Sequence, residues 1–151
     1  MGFLDKVKGA MNAVTGGGAR VTIELKQACV FPGEQVAIRI AATSTGAEVK
    51  SKGAYVDIFA AEKVSVRDEQ TKNLVSHSRT TIEQSFQIAP EFVLAPNETK
   101  VFEGSFQLPA TALPTFLGQL AQHQCSIRGR IEAFGNDPDS GYQPIHVGSR
   151  L

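Results

Sequence analysis

Two runs of alternating apolar and polar residues meet at Val30-Phe31-Pro32-Gly33-Glu34-Gln35-Val36, and this stretch constrains the fold more than any other. Before it, Val21, Ile23 and Leu25 alternate with Thr22, Glu24 and Lys26. After it, Val36, Ile38 and Ile40 alternate with Ala37, Arg39 and Ala41. A period of two gives each run one face to bury, which is the pattern of a half-covered strand. Pro32 fixes its own φ and Gly33 is free to take a positive one, so the two strands are joined by a tight corner.

The same period recurs down the chain. Residues 55–62 read as a strand with Val56, Ile58 and Ala60 on one face, while Tyr55 and Phe59 make the other face apolar as well. In residues 79–88, Ile82, Phe86 and Ile88 alternate with polar positions. In 100–108, Phe102, Phe106 and Leu108 face inward. In 124–134, Cys125, Ile127, Ile131 and Ala133 face in, with Arg128, Arg130 and Glu132 facing out. Residues 142–147 can add an edge strand. Ser, Thr, Gly and charge over residues 43–53 predict a loop. Residues 64–78 read as a long hairpin connection or a pair of ragged edge strands. Ala95-Pro96-Asn97-Glu98 is a turn. Seven or so short alternating runs separated by turn signals predict an all-β, antiparallel β-sandwich.

One helical segment precedes it. Phe3, Leu4, Val7, Ala10, Met11 and Val14 fall on one face at 3.6 residues per turn, and Gly16-Gly17-Gly18 ends the segment. Residues 1–18 are therefore expected to be a short amphipathic helix and glycine linker, with residues 19–151 a single domain. A helix this short needs a surface to cover its apolar face. That surface is the sandwich, with the outer face of residues 55–62 as the expected place, or a second copy, a partner or a lipid interface. At a membrane, Phe3, Leu4, Val7 and Met11 would insert and Lys6 and Lys8 would sit at headgroup level.

Chemistry is sparse. The chain has 151 residues with 15 basic and 15 acidic side chains, and no basic cluster, which argues against nucleic acid as a partner. No apolar run approaches the length of a spanning helix and no secretory leader is evident, so a cytoplasmic protein is expected. Cys29 and Cys125 are far apart, and two reduced, partly buried thiols are expected in place of a disulfide. His77, His123 and His146 are scattered without a nucleophile setting, and read as surface or loop residues. Asp137-Pro138-Asp139-Ser140-Gly141 opens like a calcium loop, but Gly148 stands where the bidentate glutamate belongs. No catalytic residue, metal or cofactor is expected. Arg128 and Arg130, at alternate positions of one strand, form a small basic stripe that would suit an acidic peptide or a lipid headgroup. Such pairs more often face cross-strand carboxylates.

Four segments in order carry a family resemblance: 30–36; Phe102-Glu103-Gly104-Ser105-Phe106-Gln107-Leu108-Pro109; Leu113-Pro114-Thr115-Phe116-Leu117-Gly118; and Ser126-Ile127-Arg128-Gly129-Arg130-Ile131-Glu132-Ala133. Over about residues 20–135 the chain resembles the N-terminal domain of arrestin-like proteins, and within them the bacterial sporulation-control branch. The resemblance implies an immunoglobulin-like sandwich and a non-enzymatic adaptor or scaffold that holds a protein partner. Members usually carry two sandwiches, whereas the pattern here ends after one. A natural single-sandwich form pairing with itself, or a sequence cut at the domain boundary, accounts for that. A homodimer through a sheet edge is the simplest partner expectation, with peripheral membrane association as the alternative.

Overall fold

The computed structural model describes residues 18–149. Their elements are β1 (Ala19–Leu25), β2 (Gln35–Ser44), β3 (Val49–Arg67), β4 (Leu74–Ala89), β5 (Phe92–Leu94), β6 (Thr99–Gln107), β7 (Phe116–Leu117), β8 (Ala121–Ala133) and β9 (Gln143–Ile145). The smaller sheet has the order β1-β2-β6. The larger runs β4-β3-β8-β7, with β5 also paired to β3 and β9 to β8. All of these pairings are antiparallel. The all-β expectation holds for the described residues. The amphipathic segment with Phe3, Leu4, Val7 and Met11 lies outside them, so its expected docking on the outer face of residues 55–62 falls outside what they describe.

The corner forms as its residues dictate. Gly33 has φ 82°, and Glu34 N–H bonds the Phe31 carbonyl at 3.1 Å. Gly33 N–H donates to the Leu108 carbonyl and Leu108 N–H to that of Glu34, both at 2.9 Å, so the corner is tied to the end of β6.

The period-two residues then meet across the gap between the sheets. Val21, Ile23, Val36, Ile38 and Ile40 from the smaller sheet and Val56, Ile58, Ile127 and Ile131 from the larger belong to one buried core. Each such side chain stabilises the fold by roughly 1.5–3 kcal/mol when fully buried. Gly129 lets the sheets approach closely: a Cβ there would lie 3.2 Å from Ile40 Cγ1 and 3.3 Å from Ile23 Cβ. Phe86 stacks on Phe106 with centroids 5.7 Å apart, and Phe92 tilts against Phe102 at 4.6 Å, which joins β4 and β5 to β6.

Two expectations are corrected and one open alternative is decided. Residues 43–53 are mostly strand, because β2 runs to Ser44 and β3 begins at Val49. Pairing with β5 and β8 overrides the polar composition. Gly53, at φ 153°, absorbs a register shift against β8. The Ser51 hydroxyl donates to Gly53 O at 3.0 Å and accepts from Gly53 N–H at 3.1 Å, which closes the bulge. Of the two readings of residues 64–78, the pair of strands is the one found, with Val66 opposite Val75. Their turn is held by Asp68, whose Oδ1 accepts Gln70 N–H at 2.7 Å. Of the three histidines, His77 and His146 are exposed as expected, but His123 is fully buried on the inner face of β8.

Candidate functional site

Arg128 and Arg130 stand two residues apart on β8 and share the outer face of the larger sheet, so they reach the same point. That point is Asp57 on β3, directly opposite Arg128. Both Nε groups donate to Asp57 Oδ2 at 2.8 Å, and the Ser85 hydroxyl donates to Oδ1 at 2.6 Å. Arg130 Nη1 also reaches Glu132 at 3.3 Å and Asp137 at 3.9 Å, and Arg128 Nη1 reaches Asp139 at 3.8 Å. Tyr142 lies 4.7 Å from the Arg128 guanidinium and Tyr55 4.6 Å from that of Arg130.

Asp57 is 4% exposed. Burial pushes its carboxyl up, but the hydrogen bonds from Ser85, Arg128 and Arg130 and the Arg130 charge outweigh it and hold it below its ordinary value. These groups floor an open groove of about 720 Å3 that Glu83 and Tyr142 also line. Four carboxylates, Asp57, Glu132, Asp137 and Asp139, answer two guanidiniums. An acidic ligand would meet excess negative charge here, so the cross-strand carboxylate reading of the arginine stripe describes the geometry. The missed signal was Asp57 itself, a charge between Val56 and Ile58 in a strand apolar on both faces.

Beneath the opposite face, His123 Nδ1–H donates to the Pro114 carbonyl at 3.2 Å. Nε2 is then the acceptor for the Thr81 hydroxyl at 2.7 Å. Both ring nitrogens are engaged, which ties the segment before β7 to β4 and leaves no lone pair for a substrate. Two residues on, burial pushes the Cys125 thiol up to about 11, so it stays protonated at neutral pH. Cys29 is half-buried, and both cysteines are free. With a thiol-reactive dye the native chain is expected to label at Cys29 and to release Cys125 only on unfolding. Rapid labelling of both in the native state would contradict this burial. Among the described residues no group of three or more His, Cys, Asp or Glu is placed to hold a metal ion.

Exposed apolar side chains gather elsewhere. β8 pairs with β3 only as far as Val64, whereas β3 and β4 continue together to Arg67 and Leu74. A two-stranded arm therefore projects past the rest of the larger sheet. Eight of the thirteen exposed large apolar side chains among the described residues lie at this end. Val64, Val66, Leu74 and Val75 are on the arm, and Leu113, Phe116, Leu117 and Leu120 are on the connection before β8. Ser65 N–H joins the two at the Leu120 carbonyl, 2.7 Å away. Such a concentration of apolar surface marks an interaction site more often than chance exposure does.

The outer edge of β4 runs the length of the arm with no strand beside it among the described residues. Its lower half leans on β6, where Phe86 meets Phe106. Every residue of its upper half, 74–80, is exposed. No helix among the described residues is long and apolar enough to cross a membrane. The membrane expectation rests on Phe3, Leu4, Val7 and Met11, outside the described residues.

Fold and surface together define a two-sheet, all-β protein that presents an open strand edge among its described residues. The pattern of the SpoOM protein family matches residues 7–136, and the chain belongs to that family. It is similar in fold to the crystal structure of Spo0M, sporulation control protein, from Bacillus subtilis, at 20% sequence identity and a TM-score of 0.65. The match covers 89% of this chain and 51% of that one, so the chain spans about half the length of that relative. No curated protein sequence matches it. These findings bear out the resemblance to the sporulation-control branch drawn from the four segments.

Proposed function

We propose that the chain is a non-catalytic, protein-binding adaptor or scaffold of immunoglobulin-like, arrestin-type architecture that serves sporulation-type control. It holds its partner by strand addition along the upper edge of β4. The observation that carries this reading is the unguarded state of that edge. An edge strand offers a row of unpaired N–H and C=O groups, and proteins normally blunt it with charge, proline or short length. β9 is three residues long and contains Pro144, and β7 is two residues long. β1 carries Arg20 and Glu24, and β6 carries Lys100 and Glu103. The upper half of β4 has Arg79 alone, already paired with Glu62 at 2.9 Å, and no proline. Exposed apolar side chains on the same arm give a docked strand something to pack on.

The test is affinity capture from cells of the source organism with the full chain and with a Val75→Lys/His77→Lys variant, which guards the edge while changing only exposed positions. Captured partners should fall at least tenfold while the thermal midpoint is unchanged. An unchanged partner set would sink the reading.

A further inference from the structure

We infer that the edge accepts a second copy of the same chain, added antiparallel about a two-fold axis through His77; this rests on the strand-addition reading above. The axis follows from geometry. A two-fold perpendicular to the sheet keeps the inner face inner, so residues directly opposite one another must share a face. The axis must therefore pass through a residue, never between two. The regular edge is bounded on one side by the turn ending at Asn73. On the other it ends at Thr81, where the register with β3 jumps from Ala60 opposite Ile82 to Ala61 opposite Thr80. Seven residues remain, 74–80, and His77 is their midpoint. No other centre pairs all seven.

The side chains accept that register. Leu74 falls opposite Thr80 of the second copy, Val75 opposite Arg79, and Ser76 opposite Ser78, which are two hydroxyls within mutual reach. Arg79 does not face itself, as it would if the axis passed through residue 79. Its guanidinium stays on Glu62 of its own chain while its aliphatic stem lies over Val75 of the other. Val66, directly opposite Val75 within the arm, extends the covered strip. Fifteen basic and fifteen acidic side chains leave two copies with no net repulsion.

Cysteine cross-linking of the full chain in a Cys29→Ser background decides the register, and analytical ultracentrifugation decides association. Directly opposite residues have Cα atoms about 4.5–5.5 Å apart, within disulfide range. His77→Cys should therefore form a covalent dimer on mild oxidation. Leu74→Cys, about 20 Å from its own copy at roughly 3.4 Å per residue, should not. Sedimentation should show a dimer that Val75→Lys/His77→Lys dissociates at least tenfold more readily. A chain that sediments as a monomer at high concentration overturns the inference, and so does cross-linking of Leu74→Cys in preference to His77→Cys. If the chain is monomeric and the double-lysine variant still loses captured proteins, self-pairing fails and strand addition to another partner stands.

Discussion

Asp57→Asn is expected to lower stability at pH 7 by roughly 2–4 kcal/mol, read as a drop in the denaturant midpoint without change in its slope. The substitution keeps the side-chain shape and removes the charge on which Arg128 and Arg130 converge at 2.8 Å each. Two guanidiniums, with side chains 31% and 15% exposed, are then left to the weaker contacts with Glu132, Asp137 and Asp139. Removing one partner of a buried pair usually costs about 3–5 kcal/mol, and the open groove reduces that through solvent screening.

The pH dependence has a definite sign. Asp57 is held below its ordinary value of 3.8, so the folded state favours the ionised form. The stabilisation is fully present above that value and is lost as pH falls below it through the folded-state value. The gap between the parent chain and Asp57→Asn should stay constant from neutral pH down to about 4 and narrow below. A variant within about 0.5 kcal/mol of the parent at pH 7 would show that the cluster is a surface ornament.

Gly53→Ala carries the second large effect. At φ 153° an added Cβ would lie 2.7 Å from the Ala89 carbonyl oxygen, which is backbone and cannot turn aside, and 2.8 Å from Gln87 Nε2. Strain of about 1–3 kcal/mol for the backbone conformation adds to the clash, for a total of roughly 2–4 kcal/mol. At about 2–4 °C per kcal/mol for a chain near this size, the thermal midpoint should fall by on the order of 5–15 °C. An unchanged midpoint would mean that the bulge relaxes freely. The bulge holds β3 in register with β8 on one side and β4 on the other, so the variant should also loosen the Asp57 cluster four residues on.

That bulge shows why part of the fold was hidden. Ser51, Lys52 and Gly53 have loop composition, and only pairing with β5 and β8 makes them strand. The arginine stripe was visible as i and i+2 on one strand, but its partner Asp57 lies 71 and 73 residues away. His123 gave no local sign of burial. It sits where an alternating inner position falls and is tolerated there because Thr81 and Pro114 satisfy both nitrogens.

The sequence by itself determined which residues face the core in β1, β2, β6 and β8, the corner at Pro32 and Gly33, and the all-β class. Each of these depends on neighbours within a few positions, where a period of two or a turn residue acts directly on the backbone. Only the tertiary structure decided that β3 is 19 residues long, that Asp57 gathers two arginines, and that the upper half of β4 has no other described strand beside it. Strand length, ion-pair partners and open edges are set by which distant segments lie alongside, and alternation along one strand is the same whether its edge is covered or bare.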